Sequence, residues 1–127
     1  MKTTSLSPGN RITAPIERKW LAEIVSGRKR IEKRDLGRGW RKRLSRVQVP
    51  FQLRLINGMH PKAPEATVLI RKVTTSIKDG QYRLHIGRVL SVRFWDRVRE
   101  QRSPVSIRAI RAVVAERKRR RHLGAAA

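Results

Sequence analysis

The sequence predicts an α+β fold, mainly β, in which a small β-barrel or curved sheet is combined with an N-terminal helix and a basic C-terminal helix. The chain has 127 residues, which suits one compact domain. Two segments, around Phe51 and around Leu84, alternate apolar and polar side chains with the period of a half-buried strand. Helical periodicity precedes the first of these segments and follows the second. This order of elements favours one sheet whose open face is covered by helices.

The first helix is predicted to run from Pro15, which suits a first helical turn, to about residue 25. One apolar face recurs every four residues and is expected to lie in the core: Ile16, Trp20 and Ile24. Residues 1–11 show no periodicity and are interpreted as a flexible leader.

Four strands are predicted from alternation and from the turns between them, at residues 28–35, 49–55, 67–73 and 81–92. Ile31 is expected to point inward from the first strand. Asp79 and Gly80 are typical of a hairpin turn between the last two strands. Gly87, inside the last strand, indicates a bulge of the kind that bends barrel strands. A short helix is predicted at residues 40–46.

The last element is predicted to be a helix over residues 103–122. Ser103 is a suitable N-cap, and Pro104 is tolerated at the first helical position. An apolar stripe follows at helical spacing: Ile107, Ile110, Val113 and Val114. The sequence is therefore divided into a leader (1–11), a folded domain (12–100), this basic helix, and a short tail of small residues (123–127).

The charge is strongly positive. Lys and Arg total 32 against 9 Asp and Glu, which gives a formal net charge of +23, and 23 of the cations are arginines. A chain with this charge repels itself unless a polyanion is near, so nucleic acid is the leading partner class. Guanidinium groups also fork onto phosphates and stack on bases, which ammonium groups do not.

Other compositional features exclude several classes. The chain has no Cys, which excludes disulfide scaffolds, thiolate zinc sites and Cys nucleophiles. Three scattered His residues do not form a metal site of the usual kind without carboxylates, so neither a metal nor a cofactor is expected. No apolar run approaches the ~20 residues of a membrane span, and the N-terminus has no signal-peptide core. We therefore expect a soluble protein of a reducing compartment.

The segment from Trp20 to Asp35 resembles the signature of ASCH domains, in which a helix ends in Gly and is followed by Lys, Glu and Arg. Four residues match at the family's spacing: Gly27, Lys29, Glu32 and Arg34. Three further segments, in the order of short phage and bacterial ASCH proteins, extend the resemblance over about residues 12–93: 40–44, 57–65 and 83–90.

This resemblance implies a β-barrel related to PUA domains, with a cleft lined by the signature residues. PUA-like domains commonly hold RNA or a modified nucleobase in that cleft. The ASCH family includes RNA-binding modules, proteins with ribonuclease activity and acetylcytidine amidohydrolases, so the resemblance implies a nucleotide or nucleic-acid ligand and favours RNA over DNA. It also implies the cytoplasm of a bacterium or of a phage-infected cell.

Lys29 and Glu32 are the candidate catalytic residues. In the amidohydrolase branch, the Lys that matches Lys29 is the nucleophile or base, and a Thr three residues later assists it. Glu32 stands at that Thr position here, which counts against a simple transfer of the amidohydrolase activity. On a continuous strand Lys29 and Glu32 would face opposite sides, unless the strand begins after Lys29. Glu32 and Arg34 share a face, and a purely structural ion pair between them is the alternative.

The candidate nucleic-acid-binding residues combine cations with one aromatic ring. Tyr82 is expected to stack on an unpaired base, whereas Trp40 and Trp95 are interpreted as packing residues. Lys29 and Arg34 are expected to contact phosphate or a base edge. The remaining cations are expected to contact phosphates without reading sequence: Lys42 and Arg43, and the run Arg117, Lys118, Arg119, Arg120 and Arg121, which is interpreted as a tail that orders on contact.

Two other titratable residues have simpler interpretations. Glu65 is expected to cap a loop, and His85 to lie on the solvated face of its strand. Taken together, the sequence predicts a module that binds single-stranded RNA, or a flipped or modified base, in a basic cleft. The alternatives are a metal-independent ribonuclease and an amidohydrolase on acylated nucleosides that uses Lys29. A protein that occupies a host nucleic-acid enzyme is compatible with the size but is supported by no residue.

Overall fold

The computed structural model describes residues 9–126 and has an α+β, mainly β architecture, as the sequence predicts. The helices are α1 (Arg18–Ser26), α2 (Arg38–Leu44) and α3 (Pro104–Ala126). The strands are β1 (Arg11–Pro15), β2 (Ile31–Asp35), β3 (Phe51–Ile56), β4 (Glu65–Ser76), β5 (Gln81–Arg93), β6 (Trp95–Asp96) and β7 (Gln101–Arg102).

Five strands form one curled sheet, a half-barrel, in the order β1-β3-β4-β5-β2. β1 runs parallel to β3, and the other neighbours are antiparallel. β6 and β7 form a separate two-stranded ribbon. β1 and β2 are the two edges of the half-barrel and are not paired with each other, so the barrel that the sequence predicts is open at this point. This opening determines where the cleft lies.

The core fills the inner face of the half-barrel. Because successive strand residues point to opposite faces, the alternation predicted around Phe51 places Phe51, Leu53 and Leu55 inside, each at most 1% exposed. The neighbouring strands contribute partners in register, and α1 covers the sheet with Leu21 and Ile24. Trp95 packs against the same core, in agreement with the prediction.

The N-terminal prediction needs correction. Arg11 already belongs to β1, whose Ile12 and Ala14 are buried, and Pro15 ends that strand instead of starting the helix. Asn10 is also fixed, because its side-chain amide donates to the carbonyl oxygens of Gln48 and Pro50 at 3.0 Å. Parallel pairing with β3, some forty residues away, stabilises this strand and gives no local signal. Residues 1–8 of the predicted leader lie outside the described residues.

The long hairpin of β4 and β5 follows the prediction closely. Asp79 and Gly80 lie in its turn, where Gly80 adopts a φ of 65°. Gly87 has no partner in the register between Ile70↔Ile86 and Leu69↔Arg88, so it occupies the predicted bulge. A Cβ atom at Gly87 would make an ordinary van der Waals contact with the Leu69 carbonyl oxygen at 3.5 Å, so the bulge itself does not require a glycine.

The inward residue of β2 is Glu32 and not Ile31. Glu32 lies opposite Leu84 and is 4% exposed, whereas Ile31 lies opposite His85 on the outer face and is half-buried. The register with β5 decides this orientation, because directly opposed residues of an antiparallel pair share one face. The sheet thus buries a carboxylate at its edge.

α3 begins as predicted and continues further than predicted. The Ser103 hydroxyl accepts a hydrogen bond from the Ser106 N–H at 3.2 Å, and Pro104 is the first helical residue. The first turns pack against the domain, with Ser106 fully buried. Beyond residue 110 most side chains are exposed. The helix runs through the basic stretch and through residues 123–126, so the expected tail is helical up to Ala126.

Candidate functional site

An open cleft of about 1150 Å³ lies where the half-barrel fails to close. Its walls are the end of β1, the exposed side of α1, and β2, with Trp40 of α2 and Asn57 at its ends. One side chain bridges the gap: Arg34 Nη2 donates to the Pro15 carbonyl oxygen at 2.8 Å. Asn57, which follows β3, donates from Nδ2 to the Ile16 carbonyl oxygen at 2.9 Å and so fixes the β1 side of the cleft. β1 and β2 are therefore joined across the cleft by a side-chain hydrogen bond and not by strand pairing.

Glu32 organises the floor of the cleft. Its Oε2 atom accepts a hydrogen bond from Arg34 Nε at 2.9 Å and forms an ion pair with Arg34 Nη2 at 2.6 Å, and Lys29 Nζ lies 3.2 Å from the other oxygen. The three side chains are 6%, 18% and 19% exposed for Glu32, Arg34 and Lys29. A carboxylate this deep is tolerated only when it is paired and hydrogen-bonded, so the two cations and the acid stabilise one another.

The turn after α1 places Lys29 beside Glu32. Gly27 adopts a φ of 85°, the left-handed conformation that terminates a helix. The Lys29 N–H then donates to the Glu23 carbonyl oxygen at 2.9 Å, and β2 starts only at Ile31. Since Lys29 precedes the strand, the alternation that would separate it from Glu32 does not apply. The predicted pair of Arg34 with Glu32 is present, and Lys29 pairs with Glu32 as well, because the strand begins after Lys29.

Two tryptophans lie among the cleft's cations. Trp20 is 41% exposed, with the Nζ atoms of Lys19 and Lys29 each 4.6 Å from its ring centre. The expectation that Trp20 is a core residue is wrong, because α1 buries Leu21 and Ile24 and leaves Trp20 at the border of its apolar face. Its exposed indole is the largest aromatic surface in the cleft.

Trp40 combines packing with a place in the cleft wall. It packs against the core beside Leu44, as predicted, and also lines the cleft. The guanidinium carbons of Arg34 and Arg43 lie 5.2 and 5.3 Å from its ring centre. An indole face attracts a guanidinium by cation–π interaction. Trp40 therefore supports the position of Arg34 in addition to Glu32.

The other sequence candidates lie away from the cleft lining. Tyr82 is half-buried against the core, opposite Arg34 in the register, and does not line the cleft. Lys42 is exposed on α2, and only Arg43 reaches the cleft region, through Trp40. The run from Arg117 to Arg121 is far along α3, where Glu116 pairs with Arg119 and Arg120.

The cleft itself is almost balanced in charge. Five cationic and four acidic residues line it, although the whole chain has 32 cations and 9 acids. The cationic residues are Arg28, Lys29, Arg30, Lys33 and Arg34, and the acidic ones are Glu17, Glu23, Glu32 and Asp35. Most of the +23 charge therefore lies on other surfaces of the molecule.

Arg28 is a cleft residue that the sequence does not single out. Its guanidinium bridges Glu23 of α1 at 2.7 Å and both carboxylate oxygens of Glu100 at 2.8 and 2.7 Å. These hydrogen bonds, first to Glu100 and then to Glu23, raise the pKa of Arg28, and Arg28 in turn lowers the pKa of Glu100. Glu100 is 72 residues away in sequence, so no local pattern indicates this contact.

His85 occupies the position that its alternation predicts, on the outer face between buried Leu84 and Ile86. Its Nε2 is 2.8 Å from the Thr74 hydroxyl. Burial, followed by the charges of Lys72, Arg71 and Arg83, lowers the pKa of His85. The residue is outside the cleft.

Glu65 does not cap a loop, so that interpretation is wrong. It is the first residue of β4, is 7% exposed, and accepts two hydrogen bonds from Arg54 at 2.7 and 2.9 Å. The hydrogen bonds from Arg54 lower its pKa, against an opposing effect of burial. Ile56, the last residue of β3, lies opposite Glu65, and Arg54 precedes it by two residues. The antiparallel register therefore brings Arg54 and Glu65 together.

The Glu65–Arg54 pair is expected to make stability depend on acidic pH. The folded pKa of Glu65 lies below the ordinary value of 4.5. The contribution of Glu65 to the free energy of unfolding is therefore complete above pH 4.5 and is lost as the pH falls through the lowered pKa. Urea unfolding of the wild type and of Glu65→Gln between pH 3 and pH 7 measures this. The variant should be less stable at pH 7, and the difference should shrink toward pH 3; a constant difference would contradict the assignment.

Within residues 9–126, no group of three or more His, Asp or Glu residues is placed to hold a metal ion. The same part of the chain has no helix long and apolar enough to cross a membrane. The available chemistry is that of the cleft. Lys29 has further N–H donors beyond the one facing Glu32, Arg34 has an Nη1 group that no described residue accepts from, and Trp20 offers an aromatic face.

Comparison with known proteins gives no family: no protein-family model matches the chain, and no curated protein matches it significantly.

Proposed function

We propose that this protein is a nucleic-acid-binding module of the ASCH, PUA-like type, whose cleft accepts an unpaired or modified base of single-stranded RNA. The observation that carries the proposal is the cleft between β1 and β2, where buried Glu32 holds Lys29 and Arg34 beside the exposed ring of Trp20. Three of the four signature residues of the ASCH resemblance, Lys29, Glu32 and Arg34, thus line one cavity.

The chemistry of the cleft suits a base better than a duplex. An indole face binds any unpaired base by stacking, and such a base must first leave its helix. Arg34 and Lys29 then supply N–H donors for a phosphate or for the carbonyl groups of a base edge. Glu32 keeps both cations in place before the ligand arrives, which lowers the cost of ordering them on binding.

The charge distribution supports a polymer as the ligand. A free nucleoside is small and uncharged and needs only the cleft, which is nearly neutral. The basic half of α3, by contrast, presents a run of five cations and suits phosphate contacts that add affinity without sequence selectivity. RNA as the ligand also accords with a cytoplasmic location.

End-labelled single-stranded RNA, incubated with the protein in EDTA, tests binding against catalysis. We expect a retarded band on a native gel and intact RNA on a denaturing gel. Cleavage by the wild type that Lys29→Ala abolishes would instead identify a metal-independent ribonuclease. Release of acetate from N4-acetylcytidine, lost in the same variant, would identify an amidohydrolase.

Trp20→Ala is expected to weaken RNA binding by about 5- to 150-fold, because stacking of one base on an aromatic side chain contributes about 1–3 kcal/mol. Fluorescence anisotropy with a labelled 12-nucleotide single-stranded RNA measures the change. Trp20→Phe is the matched control and should retain most of the affinity. Because Trp20 is 41% exposed, neither variant should unfold; equal affinity of Trp20→Ala and wild type would contradict base stacking in the cleft.

A further inference from the structure

The outer face of the sheet carries a second concentration of positive charge. In the register of β2, β5 and β4, Lys33 lies beside Arg83, and His85 lies beside Lys72 in the next row. Arg88 follows along β5, and Arg71 lies against Gly87 at the bulge. We call five of these residues the basic face: Lys33, Arg71, Lys72, Arg83 and Arg88.

Four of the five cations have no partner of their own. Among residues 9–126, no acidic side chain pairs with Lys33, Arg71, Lys72 or Arg88, and all four are exposed. Only Arg83 is neutralised, by Asp79 at 2.7 Å. Elsewhere on the same sheet face, Arg54 is paired with buried Glu65. Unpaired like charges this close repel one another, so the arrangement is costly without an anion.

His85 lies within the basic face. Burial is the main cause that lowers the pKa of His85, and the charges of Lys72, Arg71 and Arg83 lower it further by disfavouring the imidazolium. The groups that face it are the hydroxyl of Thr74 on β4 and, in register on β2, the apolar Ile31. No carboxylate among these neighbours offsets the cations.

The basic face is continuous with the cleft. Lys33 belongs to the outer face of β2 and also lines the cleft, so the free edge of β2 is the rim between the two surfaces. From β2 across β5 to β4 the distance is two strand spacings, about 10 Å. A chain that leaves the cleft over this rim meets Lys33 first and then the cations of β5 and β4.

We propose that the basic face binds the phosphate backbone of the RNA whose base occupies the cleft, with the RNA crossing the edge of β2 at Lys33. The path across the edge rests on the proposed function of the cleft. A protein partner would need apolar or aromatic anchors at the centre of its interface, and the apolar residues here, Ile31 and Leu69, are half-buried between cations. Separate, exposed cations in rows suit the regularly spaced charges of a phosphodiester chain.

The test is a variant that removes charge from the basic face without touching the cleft: Arg71→Gln, Lys72→Gln and Arg88→Gln together. With a labelled 12-nucleotide single-stranded RNA, we expect affinity at 0.1 M salt to fall about tenfold or more. The slope of log affinity against log salt should decrease by about 2, since each phosphate contact to a single strand contributes about 0.7. The three side chains are exposed, unpaired and mutually repulsive, so the melting temperature should not fall.

The matched control is Lys62→Gln, Arg97→Gln and Arg99→Gln, which removes the same charge from loops outside both surfaces. It should leave affinity and slope close to wild type. An equal loss in the control, or an unchanged slope in the basic-face variant, would overturn the proposal. Trp20→Ala separates the two hypotheses, because loss of stacking lowers affinity without changing the salt slope. If Trp20→Ala has no effect while the basic-face variant does, the cleft proposal fails and the backbone contact remains.

Discussion

Glu32→Gln is expected to lower the free energy of unfolding by about 3 kcal/mol, because removing one partner of a buried ion pair leaves the other charges uncompensated. The side chain of Glu32 is 6% exposed, and its carboxylate lies against both Lys29 and Arg34. Glutamine has the same shape but no charge, and its amide N–H₂ would face a cation. Urea unfolding at pH 7, followed by circular dichroism, measures the change.

The same substitution is expected to weaken RNA binding beyond its effect on stability. Arg34 joins Glu32 to the Pro15 carbonyl oxygen, so a displaced Arg34 loosens the bridge between β2 and β1 and changes the shape of the cleft. Glu65→Gln is the control: it also removes the carboxylate of a buried ion pair, with Arg54, but lies outside the cleft, so it should lower stability without this effect on binding. If Glu32→Gln has the same urea midpoint of unfolding as the wild type, Glu32 does not support the cleft.

The site could be predicted from the sequence where the contacts are local. Glu32 and Arg34 are two residues apart, and this spacing predicts their ion pair. The spacing alone leaves open whether Lys29 joins them, because that depends on where β2 begins. The position of Lys29 depends on the end of α1 at Gly27, which the sequence also indicates. The missing part was Trp20, because helical periodicity identifies an apolar face and cannot distinguish its centre from its border.

The parts that the sequence could not predict depend on contacts between distant segments. β1 pairs with β3 across about forty residues, and Arg28 contacts Glu100 across 72. Alternation within β2 is compatible with either face, and only its register with β5 makes Glu32 the buried residue. The opening of the half-barrel could not be predicted either, because the curvature of the whole sheet determines whether the two edge strands, β1 and β2, pair with each other.

Three surfaces carry part of the basic charge of the chain, and under the proposed function they suit different contacts with RNA. The cleft has nearly balanced charge and a fixed geometry, which suits recognition of one base. The basic face and the distal half of α3 carry exposed cations, which suit phosphate contacts. This separation predicts that substitutions in the cleft change affinity with little effect on the salt slope, whereas substitutions on the other two surfaces change the slope.

Deletion of residues 117–127 is expected to have the largest effect on salt dependence. It removes five cations, so the slope should decrease by up to about 3.5, and the wild type should lose about a hundredfold more affinity than the variant between 50 and 200 mM salt. Anisotropy with single-stranded RNA at several salt concentrations measures this. Residues 111–124 are mostly exposed, so the melting temperature should stay unchanged. Replacing all five cations with glutamine keeps the helix and should give the same slope; a wild-type slope in either variant would show that this end of α3 does not contact RNA.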